Sequence, residues 1–183
     1  MAVVSAKFMH SQTMGREAET AFCALCTHNG WQVTRASTHA DRHQHIDFFV
    51  SPLGCVATAA VDVKAIKCAQ RGGKPDPTLV YIELKNVLGK AGWVKGKADY
   101  IVLQQEGNCF LCLERAELAR YADYLATLLP WGKRSGVKGT QWARPGRDDH
   151  VLCLDRDRVL SDLQSWFFIY GSPLQRRSHG VDS

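Results

Sequence analysis

Two apolar, strand-like runs each carry a carboxylate, Asp47 in "HIDFFV" and Asp62 in "CVATAAVDVKAIK", and no other feature constrains the fold of this chain as tightly. Side chains of a strand alternate between faces, so Val61 and Val63 point one way while Asp62 and Lys64 stand together on the other. The valines belong to a core. The charged pair must meet a partner on its own face, because an unpaired buried carboxylate is costly. The turn "SPLG" makes the two runs antiparallel neighbours, in which opposed residues share a face. An even-numbered residue opposite Asp47 brings Asp47 beside Asp62 and Lys64, and a slip of one residue removes it. Two carboxylates that close repel unless a cation lies between them, and hard oxygen ligands suit Mg²⁺ or Mn²⁺. Such an ion polarises a phosphodiester oxygen and acidifies a bound water, while Lys64 orients that water or neutralises charge on the phosphorane. An Asp-x-Lys taken alone equally describes a surface ion pair.

The rest of the chain supplies a sheet around these runs. "GREAETAFCALCTHN" (15–29) places Ala18, Ala21, Phe22, Leu25 and Cys26 on one helical face, with Gly30 as a stop. Strands are expected at "WQVTRA", "HIDFFV", "CVATAAVDVKAIK", "TLVYIEL", "DYIVLQ", "CFLCL" and "HVLCL". An amphipathic helix follows at "ERAELARYADYLATLL", and an Asp155-capped helix at "RDRVLSDLQSWFF". "CAQRGGKPDP" reads as a basic loop, 131–149 as a long basic surface loop, and 175–183 as a frayed tail. The whole is one α/β domain of 183 residues with a central mixed sheet flanked by helices, its core spanning about 15–128.

A formal charge of +5 suits a polyanionic partner and is equally compatible with an ordinary basic surface. No apolar run is long enough to span a bilayer, and "MAVVSAKFM" is too short for a secretory signal, so an intracellular, cytoplasmic protein is expected. Seven cysteines, an odd number, then read as free thiols. Cys23-x-x-Cys26 with Cys109-x-x-Cys112 mimics a zinc site. Residues three apart on a strand point to opposite faces, however, and cannot both reach one ion.

The constellation resembles the PD-(D/E)xK nuclease superfamily, whose core is a helix bearing an acid followed by strands carrying Asp and (Asp/Glu)-x-Lys. The N-terminal part is similar to archaeal Holliday-junction resolvases through Gly15, Glu19, Gly30, Trp31, Val33 and Arg35, a sparse match over roughly 15–104. The resemblance implies a restriction-endonuclease-like fold and a Mg²⁺- or Mn²⁺-dependent nuclease acting on DNA. It selects Glu19 over Glu17 as the helix acid, and it gives Glu19, Asp47 and Asp62 the metal and Lys64 the water. A homodimer is implied in the same way. "IELK" offers a second acid-x-Lys in Glu83 and Lys85, with Glu83 a further candidate ligand from a neighbouring strand. Arg35, Arg42, His45, Lys67, Lys85, Lys95 and Lys97 are the candidate nucleic-acid contacts. Lys90 with Trp93, and Arg71 with Lys74, extend a basic rim. RNA is as compatible with a phosphate-reading site as DNA. A binding module that does not cut is the competing reading.

Overall fold

The structure, a computed structural model, describes residues 2–69, 73–107, 109–133, 136–169 and 172–176, with side chains described between residues 13 and 165. Arg71 and residues 177–183 lie outside the described residues. The elements run α1 (Ala2–His28), β1 (Trp31–Arg35), α2 (Thr38–Gln44), β2 (Phe48–Pro52), β3 (Ala59–Lys64), β4 (Leu79–Lys85) and a 3₁₀ turn (Trp93–Lys95). They continue with β5 (Tyr100–Gln104), β6 (Phe110–Glu114), α3 (Arg115–Leu128), β7 (Thr140–Trp142), β8 (His150–Asp155), α4 (Arg156–Asp162), β9 (Ser165–Ile169) and β10 (Ser172–Arg176). The result is one α/β domain with two sheets. The larger is mixed, ordered β1-β2-β3-β5-β6 and extended by β9 and β10, and the smaller is β4-β8-β7. β3 and β5 pair in parallel; every other pairing of the larger sheet is antiparallel.

Alternation along the strands gives the larger sheet two covered faces. On one, α1 lays Ala18, Phe22, Leu25 and Cys26 over Phe48, Val50, Val61, Val63, Val102 and Phe110. Phe22 meets Phe110 edge-on at 5.4 Å between ring centroids. Burying a side chain of this size contributes about 1.5–3 kcal/mol. On the other face, Ile101, Leu103, Leu111 and Leu113 pack against α3, α4 and the apolar side of the smaller sheet through Val80, Ile82, Leu84, Leu152 and Leu154. Because Asp62 sits opposite Ile101 in the register, Asp62 and Lys64 project from this second face, toward the seam between the sheets.

Several expectations need correction. The first helix begins at Ala2, well before Gly15, since nothing in residues 2–14 breaks a helix and the space around Gly15 is open. β2 starts at Phe48, so Asp47 stands just before the strand instead of within it, and β3 is the shorter Ala59–Lys64. β4 does not neighbour β3; it pairs with β8 in the smaller sheet. Residues 131–149 are not one loop: Thr140–Trp142 form β7 against β8, with Gln141 and Asp149 buried. Asp155 caps the last helix by accepting the Asp157 N–H, but that helix ends at Asp162, and Ser165–Ile169 pair with β6 as a strand. Gln175 and Arg176, expected in a frayed tail, belong to β10. Thr38–Gln44, for which no helix was expected, form a short helix capped by Ser37, whose hydroxyl accepts the Ala40 N–H. No helix among the described residues is long and apolar enough to cross a membrane.

Candidate functional site

Asp47 is placed by the way α2 ends. His45, the C-cap, adopts a left-handed conformation (φ 55°, ψ 56°), and Ile46 returns its N–H to the Ala40 carbonyl while its side chain packs with Ala40, Ala60 and Ala98. The chain therefore turns sharply into β2 with Asp47 at the bend. There the Asp47 N–H donates to the Val61 carbonyl (2.8 Å), its carbonyl accepts from Ala36 (2.9 Å), and its carboxylate accepts the Val63 N–H (2.7 Å). Both neighbouring strands thus hold the residue. Pairing of Phe48 with Val61 carries the approach of the two strands up to the level of Asp47 and Asp62.

Asp62 is 1% exposed. Its Oδ1 accepts from Lys64 Nζ, whereas its Oδ2 is buried with no hydrogen-bond partner among the described residues. The Lys64 ammonium also lies 5.5 Å above the centre of the Trp93 ring. Burial raises the Asp62 carboxyl, opposed by the Lys64 charge. Asp47 is pushed up to about 6, by burial first and then by the charge of Asp62, with Lys64 and the Val63 N–H pulling against them. Lys64 is raised even though burial, the largest influence, opposes its charge, because Asp62 and Asp47 both favour the ammonium. The site thus contains two crowded carboxylates, one cation and an unused oxygen. It can share a proton between the acids or accept a further cation.

Glu83 reaches the same field from the smaller sheet. Its carboxyl is raised by burial and lowered by Lys64 and Arg144. Lys85 does not accompany it into cover: the register with β8 shifts between Glu83 and Lys85. Lys85 is exposed and acts on His150, whose imidazole is lowered by burial and then by that charge.

Glu19 is not gathered with these acids. Its Oε2 pairs with Arg35 Nη1 at 2.8 Å, and the Arg35 guanidinium lies 4.6 Å above the Phe48 ring, on the α1 side of the sheet. Two expected site residues thereby neutralise each other. Among the described residues no three His, Cys, Asp or Glu side chains are grouped to hold a metal ion. Asp47 and Asp62 are the acids that meet, within reach of a carboxyl–carboxyl hydrogen bond.

The basic residues divide. His45 is lowered by burial and then by Lys64, and Lys67 by burial and then by Lys64, so both share the site's field. Arg42 is exposed on α2, and Lys97 is exposed with its N–H bonded to the Gln44 carbonyl. Lys95 pairs with Asp123 on α3. Lys90 and Lys74 are exposed. All seven cysteines are free thiols; Cys26 and Cys112 are raised, Cys112 to about 12, by burial.

Trp93, expected with Lys90 on a basic rim, packs partly buried against the core, and its ring also faces Lys64. Sequence reasoning missed why the turn can sit there. A Cβ on Gly92 would lie 2.1 Å from the Glu83 carbonyl oxygen, and one on Gly96 would lie 2.7 Å from that of Gln44. The spacing "GWVKG" was the available signal. Compared with protein-family models, with curated proteins and with solved structures, the chain matches none.

Proposed function

We propose that this chain is a divalent-cation-dependent nuclease hydrolysing phosphodiester bonds, with DNA as its substrate, on a restriction-endonuclease-like variant of the α/β domain. The observation that carries the reading is the buried Oδ2 of Asp62, which meets no donor among the described residues, beside the Asp47 carboxyl that its charge crowds. Mg²⁺ fits this donor set, since it is commonly held by one or two carboxylates and keeps several waters and substrate oxygens. Asp47 and Asp62 would hold it. When bound, the ion supplies Lewis acidity and a more acidic water.

The protein's own groups do the remaining work. Lys64 presents a fixed positive charge where negative charge develops on the phosphorus oxygens. Val63 N–H orients Asp47. Lys67 and His45 lie in reach of the phosphate field, and the exposed Arg42 and Lys97 extend it for backbone contacts. α1 packed on antiparallel β1, β2 and β3, with acids on the last two segments, agrees with the order that the family resemblance implies. The homodimer it implies belongs to the same proposal. The second reading, a nucleic-acid-binding module that does not cut, is favoured by the engagement of Glu19 with Arg35.

Incubating the protein with duplex, branched and single-stranded DNA and with RNA, in Mg²⁺ or Mn²⁺ and with a chelator control, tests the two. Cleavage that needs the cation and disappears in Asp62→Ala while binding persists supports the nuclease. Binding without cleavage of any substrate by the wild type overturns it in favour of the module.

A further inference from the structure

We propose that Trp93 is a positioning residue of the acid pair: its ring seats the Lys64 ammonium on the Oδ1 side of Asp62 and thereby keeps Oδ2 open to a divalent cation. This rests on the reading of Asp62 as a cation ligand. A lysine ammonium is a compact charge with three donors on a flexible stem, and an unpaired carboxylate oxygen beside it is an obvious second acceptor. Yet Lys64 takes only Oδ1. The other boundary of its position is the Trp93 ring, with the ammonium 5.5 Å from the centroid, inside the range of cation–π attraction. Carboxylate on one side and ring on the other bracket the ammonium, with Asp47 and Glu83 adding attraction at longer range.

The ring itself cannot drift. Val94 is fully buried, and Trp93 packs against the core between the sheets. The Gly92 N–H bonds the Leu84 carbonyl (3.0 Å), and the Lys97 N–H bonds the Gln44 carbonyl (2.7 Å). Lys95 is tied to Asp123 on α3. Gly92 and Gly96 permit backbone approaches to Glu83 and to Gln44 and His45 that a Cβ would block. One turn therefore spans the edge of β4, the end of α2 from which Asp47 departs, and α3. It couples the placement of Lys64 to the segment that places Asp47.

The test compares Trp93→Phe, which keeps a π face, with Trp93→Leu, which keeps only apolar bulk, each checked for cooperative unfolding. Three readouts are taken: the ring-current shift of the Lys64 ε-methylene by NMR, assigned with Lys64→Arg; Mg²⁺ binding by calorimetry; and kcat and KM for DNA cleavage. The expected result is an upfield ε-methylene signal in the wild type, weaker in Trp93→Phe and absent in Trp93→Leu. Mg²⁺ affinity should fall about fivefold in Trp93→Leu as the released ammonium competes for Oδ2, and Trp93→Phe should recover most of it. Cleavage should lose kcat with little change in KM. An unshifted ε-methylene in the wild type, or equal Mg²⁺ affinities in the Leu and Phe variants, overturns the role. A wild type that shows the shifted signal but binds no Mg²⁺ overturns the cation reading of Asp62 while leaving the ring's seating of Lys64 standing.

Discussion

The chain spells acid-x-Lys twice, as Asp62-Val63-Lys64 on β3 and as Glu83-Leu84-Lys85 on β4, and the two copies end in different chemical situations. On β3 the alternation is regular, so both charged groups share a face, the pair is nearly sealed from water, and a second acid from the preceding segment presses against it. On β4 the register with β8 shifts between the two charges. Glu83 is half-buried against Gly92 on the face away from the core, and Lys85 goes to solvent. A short motif states which groups are near one another along the chain. What surrounds them sets whether their charges are expensive, and only expensive charges create demand for a ligand.

The two acid-x-Lys copies should differ most in catalysis. Asp62→Ala should cost about 10³-fold or more in cation-dependent cleavage, whereas Glu83→Ala should cost less than about tenfold, as read by single-turnover hydrolysis of labelled DNA. Equal losses would mean that the β4 copy carries the chemistry. Next in size is the loss of each lysine. Lys64→Met leaves a buried carboxylate without its counter-charge and should destabilise by about 3–5 kcal/mol in urea unfolding. Lys85→Met, at an exposed position, should stay within about 0.5 kcal/mol.

The crowding of the β3 copy also has a pH signature. The Asp47 carboxyl rises from an ordinary 3.8 to about 6 on folding. The native state therefore binds more protons than the unfolded chain between those values. Stability from this group is complete below the lower value and is lost as pH rises through the upper, a change of roughly 3 kcal/mol. Asp62, also raised, adds in the same direction. Asp47→Asn can still accept the Val63 N–H and should flatten this decline, stabilising the protein above pH 6 by about 2 kcal/mol in thermal unfolding across pH. Mg²⁺ should give the wild type a similar gain and the variant less. A wild type whose stability rises through that window would contradict the crowded pair. On the β4 side, Gly92→Ala should cost about 1–3 kcal/mol in chemical unfolding, because its Cβ meets backbone that cannot yield easily.

Much of the fold was legible because it is local. The 3.6-residue spacing of Ala18, Phe22, Leu25 and Cys26 located the helix face that covers the sheet, and the period-two runs located the strands. The joint placement of Asp62 and Lys64 followed from alternation alone. What failed was of another kind. "QSWFF" continues a helical pattern by spacing, yet β6 offers it a free edge, and pairing won over local preference. "TQW" carries no period long enough to see and becomes a strand because β8 lies beside it. Glu19 and Arg35, each plausible at a phosphate site, lie sixteen residues apart and find each other across α1 and β1.

Position along the chain was enough to put Asp62 and Lys64 side by side on one face of β3, because strand geometry dictates side-chain direction, and it left Asp47 to the register. Tertiary structure decided the rest: that Asp47 bends out of α2 to meet Asp62, that Trp93 comes from a distant turn to back Lys64, and that Glu19 is spent on Arg35. Those outcomes depend on which surfaces exclude water from which charges, and desolvation is a property of the assembled neighbourhood that no single segment contains.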